Sequence, residues 1–387
     1  MSFWREREFR RIIIVFLIAK LFVVAIAVGT QFAVPAELVH TEKITDNIFL
    51  NPFAQYDSTA YLNIAENGYN TNFGGGNYHW YPLYPLLIRS LGFVGYPLAA
   101  FLISNIASFL AVTILYLLVR DELGKHHAYK TLLYTMLFPT AFYFTMMYTE
   151  SLFLFLSASV FYFAKKENWL AVGVFGFLVA LTRMQGILLI VPALIIYLRS
   201  IGFKMNISSI KKLNRNILFL ALIPLGILTF MAYELAITGD ALIQFKSAVL
   251  FGKYLTWPWA GFEQAIMAMA NDTTLINLAY HVYNLFITIS FIALVYISYK
   301  KLKIEYAAYF GLSVLIILLS SNLFGASRYF LLAFPAFMTL SLIGNRNRTV
   351  KYGIIALYAI FIVLSAGFVV LHVTERASFS FLYTPLF

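Results

Sequence analysis

Apolar runs separated by short polar turns recur along almost the whole of this 387-residue chain. Of its residues, 61% are hydrophobic and only 12% are charged, whereas a soluble domain carries about 25% charged residues. The core of a bilayer offers no water to backbone polar groups, so a crossing segment must satisfy its own hydrogen bonds, as a helix does. The repeated runs therefore predict an all-α membrane protein, folded as a polytopic helical bundle.

A transmembrane helix needs about 20 apolar residues, or fewer where the bundle encloses it. On that criterion we predict about eleven transmembrane helices in a single domain that covers residues 1–387. The predicted spans are 12–34, 97–119, 129–147, 150–164, 169–182, 184–199, 216–237, 275–298, 304–321, 328–343 and 351–372. Three of them, 150–164, 169–182 and 184–199, are short, and we expect half-penetrating helices around a cavity there.

Lys and Arg residues cluster in the N-terminal segment and in every second turn between the predicted spans. Cytoplasmic turns carry the excess of basic residues in membrane proteins. We therefore predict a cytoplasmic N-terminus, retained as a signal anchor, and an extracytoplasmic C-terminus. Most acidic residues and the two long loops, 35–96 and 238–274, then lie outside the cytoplasm. A site on that side has no supply of ATP or nucleotide sugars, so an activated donor must arrive through the membrane.

The composition excludes several classes of function. The chain has no cysteine, which excludes disulfides, thiolate metal sites and cysteine nucleophiles. The net charge of +11 comes from the basic turns that set the topology, and it does not indicate nucleic-acid binding. His79, His281 and His372, all predicted to lie outside, are too scattered to be spaced as metal ligands. We therefore predict neither a metal site nor a cofactor.

Asp57 is the acidic residue of greatest interest in the first long loop. The spacing of Asp57, Tyr61, Ile64 and Gly68 at i, i+4, i+7 and i+11 predicts a short helix over residues 57–68, lying in the membrane interface. A carboxylate at that depth can accept a proton from a hydroxyl group, which glycosyl transfer requires. The alternative is structural, with Asp57 capping the helix inside an aromatic belt.

Three further charged residues on the predicted outer side call for an explanation. Glu150 follows Thr149, a suitable cap for the next helix, and its carboxylate can bind a substrate hydroxyl or pair with an arginine. Arg183 and Arg328 oppose the charge bias of that side. Each guanidinium can bind a phosphate through two hydrogen bonds or form a salt bridge with Glu150 or Glu234. The sequence leaves both interpretations open.

A succession of short motifs resembles the PIG-V-like family of mannosyltransferases. The motifs occur in the family's order and cover most of the chain: Tyr56-Asp57-x-x-x-Tyr61-x-x-Ile64-Ala65-x-x-Gly68-Tyr69, Tyr81-Pro82-Leu83-Tyr84-Pro85, Ser104-Asn105, Pro139-x-x-x-Tyr143-Phe144, Tyr148-Thr149-Glu150-Ser151, Leu181-Thr182-Arg183 and Arg328-Tyr329. The chain departs from the family with Tyr56 where Trp is common and Met184 where Pro is common. Aromatic character is kept at the first position, and Arg183 is unaffected by the second.

The resemblance implies the GT-C fold of polytopic glycosyltransferases. It also implies a polyprenyl-phosphate sugar as donor, typically dolichyl phosphate mannose, and inversion at the anomeric carbon. The family's essential first-loop aspartate corresponds to Asp57. We therefore predict a mannosyltransferase whose acceptor is a lipid or a glycan. The modest length of the chain favours a prokaryotic cell membrane over the endoplasmic reticulum.

In the resulting hypothesis Asp57 is the catalytic base, and Arg183 and Arg328 bind the donor phosphate without a metal ion. Six further residues are predicted to bind the substrates: Tyr61, His79, Trp80, Tyr81, Glu150 and Tyr329. One alternative is a flippase for lipid-linked oligosaccharides, a class that tends to show internal repeats, and we find no convincing repeat. Another is an O-antigen-type ligase, whose functional loop usually lies late in the chain, whereas the main loop here is early.

Overall fold

The computed structural model describes residues 6–34, 44–71, 76–203, 211–271, 274–343 and 348–374. The helices in this part of the chain are α1 (Glu6–Ala33), α2 (Asp57–Asn67), α3 (Leu83–Ser90), α4 (Tyr96–Leu123), α5 (Lys125–Leu137), α6 (Glu150–Lys165), α7 (Trp169–Ala180), α8 (Ile190–Ser200), α9 (Ile217–Leu220), α10 (Leu222–Thr238), α11 (Ile243–Leu250), α12 (Ala260–Asn271), α13 (Leu275–Lys301), α14 (Ile304–Leu318), α15 (Ala326–Phe330), α16 (Pro335–Leu342) and α17 (Arg348–Thr374). Short 3₁₀ turns lie at Asn51–Phe53, Gly92–Val94, Ala141–Phe144 and Met184–Leu189.

In the described part of the chain, five helical segments are long and apolar enough to cross a membrane by themselves. They are formed by α1, α4, α13, α17 and the stretch Ile217–Thr238 that joins α9 to α10. Shorter apolar helices lie at Trp169–Ala180, Met184–Ser200 and Ile304–Leu318. The protein is therefore an integral membrane protein with the all-α architecture that its sequence predicts.

Two of the predicted spans are interrupted in the structure at a proline. The span predicted at 129–147 consists of α5, which ends at Leu137, followed by Pro139 and a 3₁₀ turn. The span predicted at 328–343 is split into α15 and α16 at a turn before Pro335. Proline lacks a backbone N–H, so Pro139 and Pro335 cannot donate a helical hydrogen bond. Pro139 also disfavours a helical conformation in Phe138, whose ψ of 141° is extended. Such irregular backbone is tolerated at membrane depth where it is buried in protein or lines a cavity.

The described part of the first long loop contains α2 and α3. The helix predicted at 57–68 is therefore confirmed, with bounds of Asp57–Asn67. It ends at Gly68, whose φ of +77° is a conformation that glycine adopts without strain. Residues 35–43 and 72–75 of this loop lie outside the described residues, as do residues 272–273 of the second long loop.

Helix packing brings distant parts of the sequence together at one end of the bundle. α4 packs along α5 and α6, α6 along α7, and α7 along α10. α7 approaches both α9 and α10 closely, because Gly173 faces the backbone of Phe219 in α9 and Gly226 of α10 faces that of Phe177. An added Cβ would lie 2.5 Å from a carbonyl oxygen in each case. The last helix, α17, packs on α1 and also contacts the 3₁₀ turn that precedes α6.

Candidate active site

Asp57 is the first residue of α2, and its side chain does not cap the helix. The N-cap residue is Tyr56, and no side-chain cap hydrogen bond is formed. Tyr56 has a φ of +52°, a strained conformation for a non-glycine residue that tends to occur at functional sites. The Asp57 carboxylate instead accepts a hydrogen bond from Arg328 Nη1 at 2.6 Å. The structure therefore does not support the alternative in which Asp57 caps α2.

The carboxylate of Asp57 remains accessible although its partner is enclosed. The Asp57 side chain is 34% exposed and that of Arg328 is 14% exposed. Burial acts to raise the pKa of Asp57, but the charge of Arg328 and its hydrogen bond outweigh burial and hold the pKa below its ordinary value. Asp57 is therefore ionised at neutral pH.

Glu150, the first residue of α6, joins both arginines. It is fully buried, and its Oε1 atom accepts hydrogen bonds from Arg183 Nη1 at 2.7 Å and from Arg328 Nε. Thr149 is the N-cap residue of α6, but its side chain forms no cap hydrogen bond. Its hydroxyl instead accepts a hydrogen bond from Arg183 at 2.9 Å. We call Asp57, Glu150, Arg183 and Arg328 the ion-pair cluster. Of the salt bridges that the sequence left open, those with Glu150 are formed by both arginines.

Aromatic rings enclose the two guanidinium groups. The Arg328 guanidinium carbon lies 4.8 Å from the ring centre of Tyr143 and 4.5 Å from that of Tyr148. The Arg183 carbon lies 5.2 Å from the ring centre of Tyr329. These contacts favour a cation at each position. The hydroxyl of Tyr61 lies 3.4 Å from that of Thr149, which adds a further wall to the cluster.

Lys253, in the second long loop, is a third cation at this site that the sequence analysis did not select. Its Nζ lies 6.0 Å from the ring centre of Tyr329 and donates hydrogen bonds to Asn322 Oδ1 at 2.8 Å and to the carbonyl of Phe324 at 3.2 Å. Burial lowers the pKa of Lys253. An antiparallel bridge between Leu255 and Ser320 holds this part of the loop against the segment before α15.

The remaining predicted site residues lie beside the cluster, on the side of α11. Burial lowers the pKa of His79 to about 4, although the negative charge of Asp57 acts to raise it. The Nδ1 atom of His79 lies 3.3 Å from Ser247 Oγ. Trp80 packs against His79 with 3.6 Å between ring centres. Tyr81 donates a hydrogen bond to Gln244 Oε1 at 2.6 Å. His79 and Tyr81 are thus joined to α11. Tyr61 and Tyr329 lie nearer the ion-pair cluster, since Tyr61 lies beside Thr149 and Tyr329 contacts Arg183.

No group of three or more His, Asp or Glu side chains in the described parts of the chain is arranged to hold a metal ion. The prediction that the site works without a metal or cofactor stays a prediction.

Comparisons with known proteins reveal likeness in structure rather than in sequence. No protein-family model matches the chain, and no curated protein matches it. ArnT from Cupriavidus metallidurans bound to undecaprenyl phosphate aligns with a TM-score of 0.51 at 12% identity, over 90% of this chain and 63% of that one. The apo oligosaccharyltransferase of Archaeoglobus fulgidus aligns with a TM-score of 0.50 at 15% identity, over 95% of this chain and 56% of that one. The chain thus spans less than two thirds of either protein, and it has the GT-C fold of polytopic membrane glycosyltransferases.

Proposed function

We propose that this protein is an inverting glycosyltransferase that moves a sugar from a polyprenyl-phosphate donor to a lipid or glycan acceptor outside the cytoplasm. The observation that carries the proposal is the ion-pair cluster, in which an accessible carboxylate is held beside two enclosed arginines. ArnT, which shares the fold, was determined with undecaprenyl phosphate bound, and this supports a lipid phosphate as ligand. Mannose as the sugar and a place in the PIG-V-like family are part of the proposal, and the sequence motifs support both.

The charge balance of the site suits a phosphodiester. Arg183, Arg328 and Lys253 supply three positive charges, whereas Asp57 and Glu150 supply two negative ones, and this leaves an excess of one positive charge. A polyprenyl-phosphate sugar carries one negative charge. When the sugar departs, the phosphate gains a second negative charge, and fixed guanidinium groups stabilise it without reorganising. Because Glu150 holds both arginines, their positions are set before the donor arrives.

Asp57 is the base in this mechanism. The acceptor hydroxyl gives its proton to the Asp57 carboxylate, its oxygen forms the new bond to the anomeric carbon, and the bond from that carbon to the phosphate oxygen breaks. A donor phosphate that takes a hydrogen bond from Arg328 draws away part of the charge that lowers the pKa of Asp57. Donor binding thereby makes the carboxylate a stronger base.

The test uses purified protein in lipid nanodiscs with labelled polyprenyl-phosphate mannose and a lipid or glycan acceptor. The wild-type protein should transfer the label. Asp57→Asn keeps the size of the side chain and removes the base, so transfer should cease while the protein remains folded. Asp240→Asn is the matched control, since Asp240 pairs with Lys246 on the surface and should leave transfer unchanged.

Two outcomes would contradict parts of the proposal. Turnover retained in Asp57→Asn would exclude Asp57 as the base. Movement of intact donor across the bilayer without its consumption would favour the flippase alternative over a transferase.

A further inference from the structure

His372, near the end of α17, is buried without a hydrogen-bond partner. It is 1% exposed, and neither ring nitrogen forms a hydrogen bond with the described residues. The rings of Tyr56, Phe142, Tyr143 and Tyr148 surround it, with 5.0 to 5.9 Å between ring centres. Burying two polar nitrogens without hydrogen bonds is unfavourable for folding. The presence of a histidine at this position therefore needs an explanation other than stability.

The same histidine lines a cavity that adjoins the ion-pair cluster. The cavity has a volume of about 20 Å³, and its wall includes Thr140, Tyr143, Tyr280, Arg328 and His372. A volume of this size admits one group as large as a water molecule. Arg328, which donates to Asp57, forms part of the wall. The cavity is therefore next to the proposed base.

The chemistry of the wall selects a hydroxyl group. A neutral imidazole offers one N–H donor and one nitrogen acceptor, which together complement a hydroxyl, itself both a donor and an acceptor. Neither Arg183 nor Lys253 lines the cavity, so two of the three cations that suit a phosphate lie elsewhere.

We infer that His372 binds a hydroxyl group of the acceptor and that this cavity is part of the acceptor subsite. The inference rests on the proposed function and extends it, because it assigns the acceptor to the α17 side of the ion-pair cluster and the donor phosphate to the side of Arg183 and Lys253. The contact of His372 with Tyr56, the residue before Asp57, keeps the bound acceptor beside the base.

The experiment separates acceptor binding from donor binding. His372→Phe keeps a ring and removes both nitrogens, and His372→Asn restores one donor and one acceptor. With polyprenyl-phosphate mannose as donor and octyl α-mannoside as acceptor probe, His372→Phe should raise the acceptor KM about tenfold, the usual effect of a lost hydrogen bond, and change the donor KM less than twofold. His372→Asn should recover part of the loss. His126→Phe, at an exposed histidine of α5, is the control.

A second readout does not require turnover. Octyl α-mannoside should raise the unfolding temperature of the wild-type protein more than that of His372→Phe. The variant by itself should be at least as stable as the wild type, because two buried nitrogens without partners have been removed.

The outcomes distinguish the inference from the proposed function. Absence of transfer by the wild-type protein counts against the function and leaves the thermal comparison as the test of the subsite. An acceptor KM unchanged in His372→Phe, a rise in the donor KM instead, or equal thermal shifts in both proteins would overturn the inference.

Discussion

Replacing Glu150 by Gln separates the observed pairing of the arginines from the phosphate binding proposed for them. Glu150 is fully buried and accepts hydrogen bonds from Arg183 and Arg328 through a single oxygen, while Oε2 has no partner among the described residues. Gln has the same shape, and its oxygen can accept the same two hydrogen bonds. The substitution therefore removes one negative charge with little change in packing.

The expected effect on stability is a moderate loss. Removing one partner of a buried ion pair costs about 3–5 kcal/mol. The cost here should be about 2–3 kcal/mol on that scale, because the amide oxygen still accepts both hydrogen bonds and Arg328 keeps its ion pair with Asp57.

The effect on donor binding should have the opposite sign. Without Glu150 the excess positive charge of the site rises by one. A unit charge about 8 Å from the phosphate, at an effective dielectric constant of about 20, contributes about 2 kcal/mol. The Kd for polyprenyl phosphate should therefore fall about 30-fold. Bound ligand should return about 2 kcal/mol more stability to the variant than to the wild-type protein.

The assay is the unfolding midpoint in nanodiscs at increasing mole fractions of polyprenyl phosphate. Glu234→Gln is the matched control: Glu234 is also fully buried, but in the described structure it pairs with neither arginine, so ligand stabilisation should be unchanged. Weaker polyprenyl-phosphate binding in Glu150→Gln would refute the reasoning and indicate that Glu150 is a direct ligand of the substrate. Unchanged stability would refute the argument that the buried ion pairs of Glu150 stabilise the fold.

Substitutions of two further residues, Arg328 and Lys253, test the neighbouring charges. Arg328→Gln removes the charge that lowers the pKa of Asp57 while burial remains, so the acid limb of the kcat/KM profile should move to higher pH. Arg328→Lys, which keeps a charge, should move it less, and an acid limb that stays in place in both would argue against titration of Asp57. Lys253→Met should raise the donor KM several-fold without changing the acceptor KM, whereas Lys246→Met, at a side chain that is 68% exposed, should change neither. Equal donor KM values in the two lysine variants would remove Lys253 from the donor site.

Much of the ion-pair cluster could be predicted from the sequence because the membrane restricts where isolated charges can go. Alternation of basic turns assigns Asp57, Glu150, Arg183 and Arg328 to one side of the bilayer. Charged groups next to apolar surface find one another or line a polar cavity, so their meeting follows from their shared side. Helix α2 could be predicted from the spacing of its residues alone.

Lys253 and His372 could not be found in this way. Lys253 reaches the site because its loop pairs with the segment at Ser320. His372 reaches it because α17 contacts the 3₁₀ turn that contains Phe142 and Tyr143. Both contacts join parts of the chain that are remote in sequence, and no local pattern records them. Nothing in the sequence distinguishes His372 from other histidines at the end of an apolar helix.

Pairing with carboxylates is also compatible with the phosphate binding proposed for these arginines, although the sequence presented the two as alternatives. A guanidinium group buried without a counter-ion is strongly unfavourable, so an enclosed phosphate site needs carboxylates to hold its cations in place. Glu150 does this from the interior, where it is fully buried, and Asp57 does it from the accessible edge. Only the accessible partner can both release Arg328 to a phosphate and receive a proton from an acceptor. The difference in exposure between the two acids therefore supports the proposal of Asp57 as the base on physical grounds that do not depend on the motif.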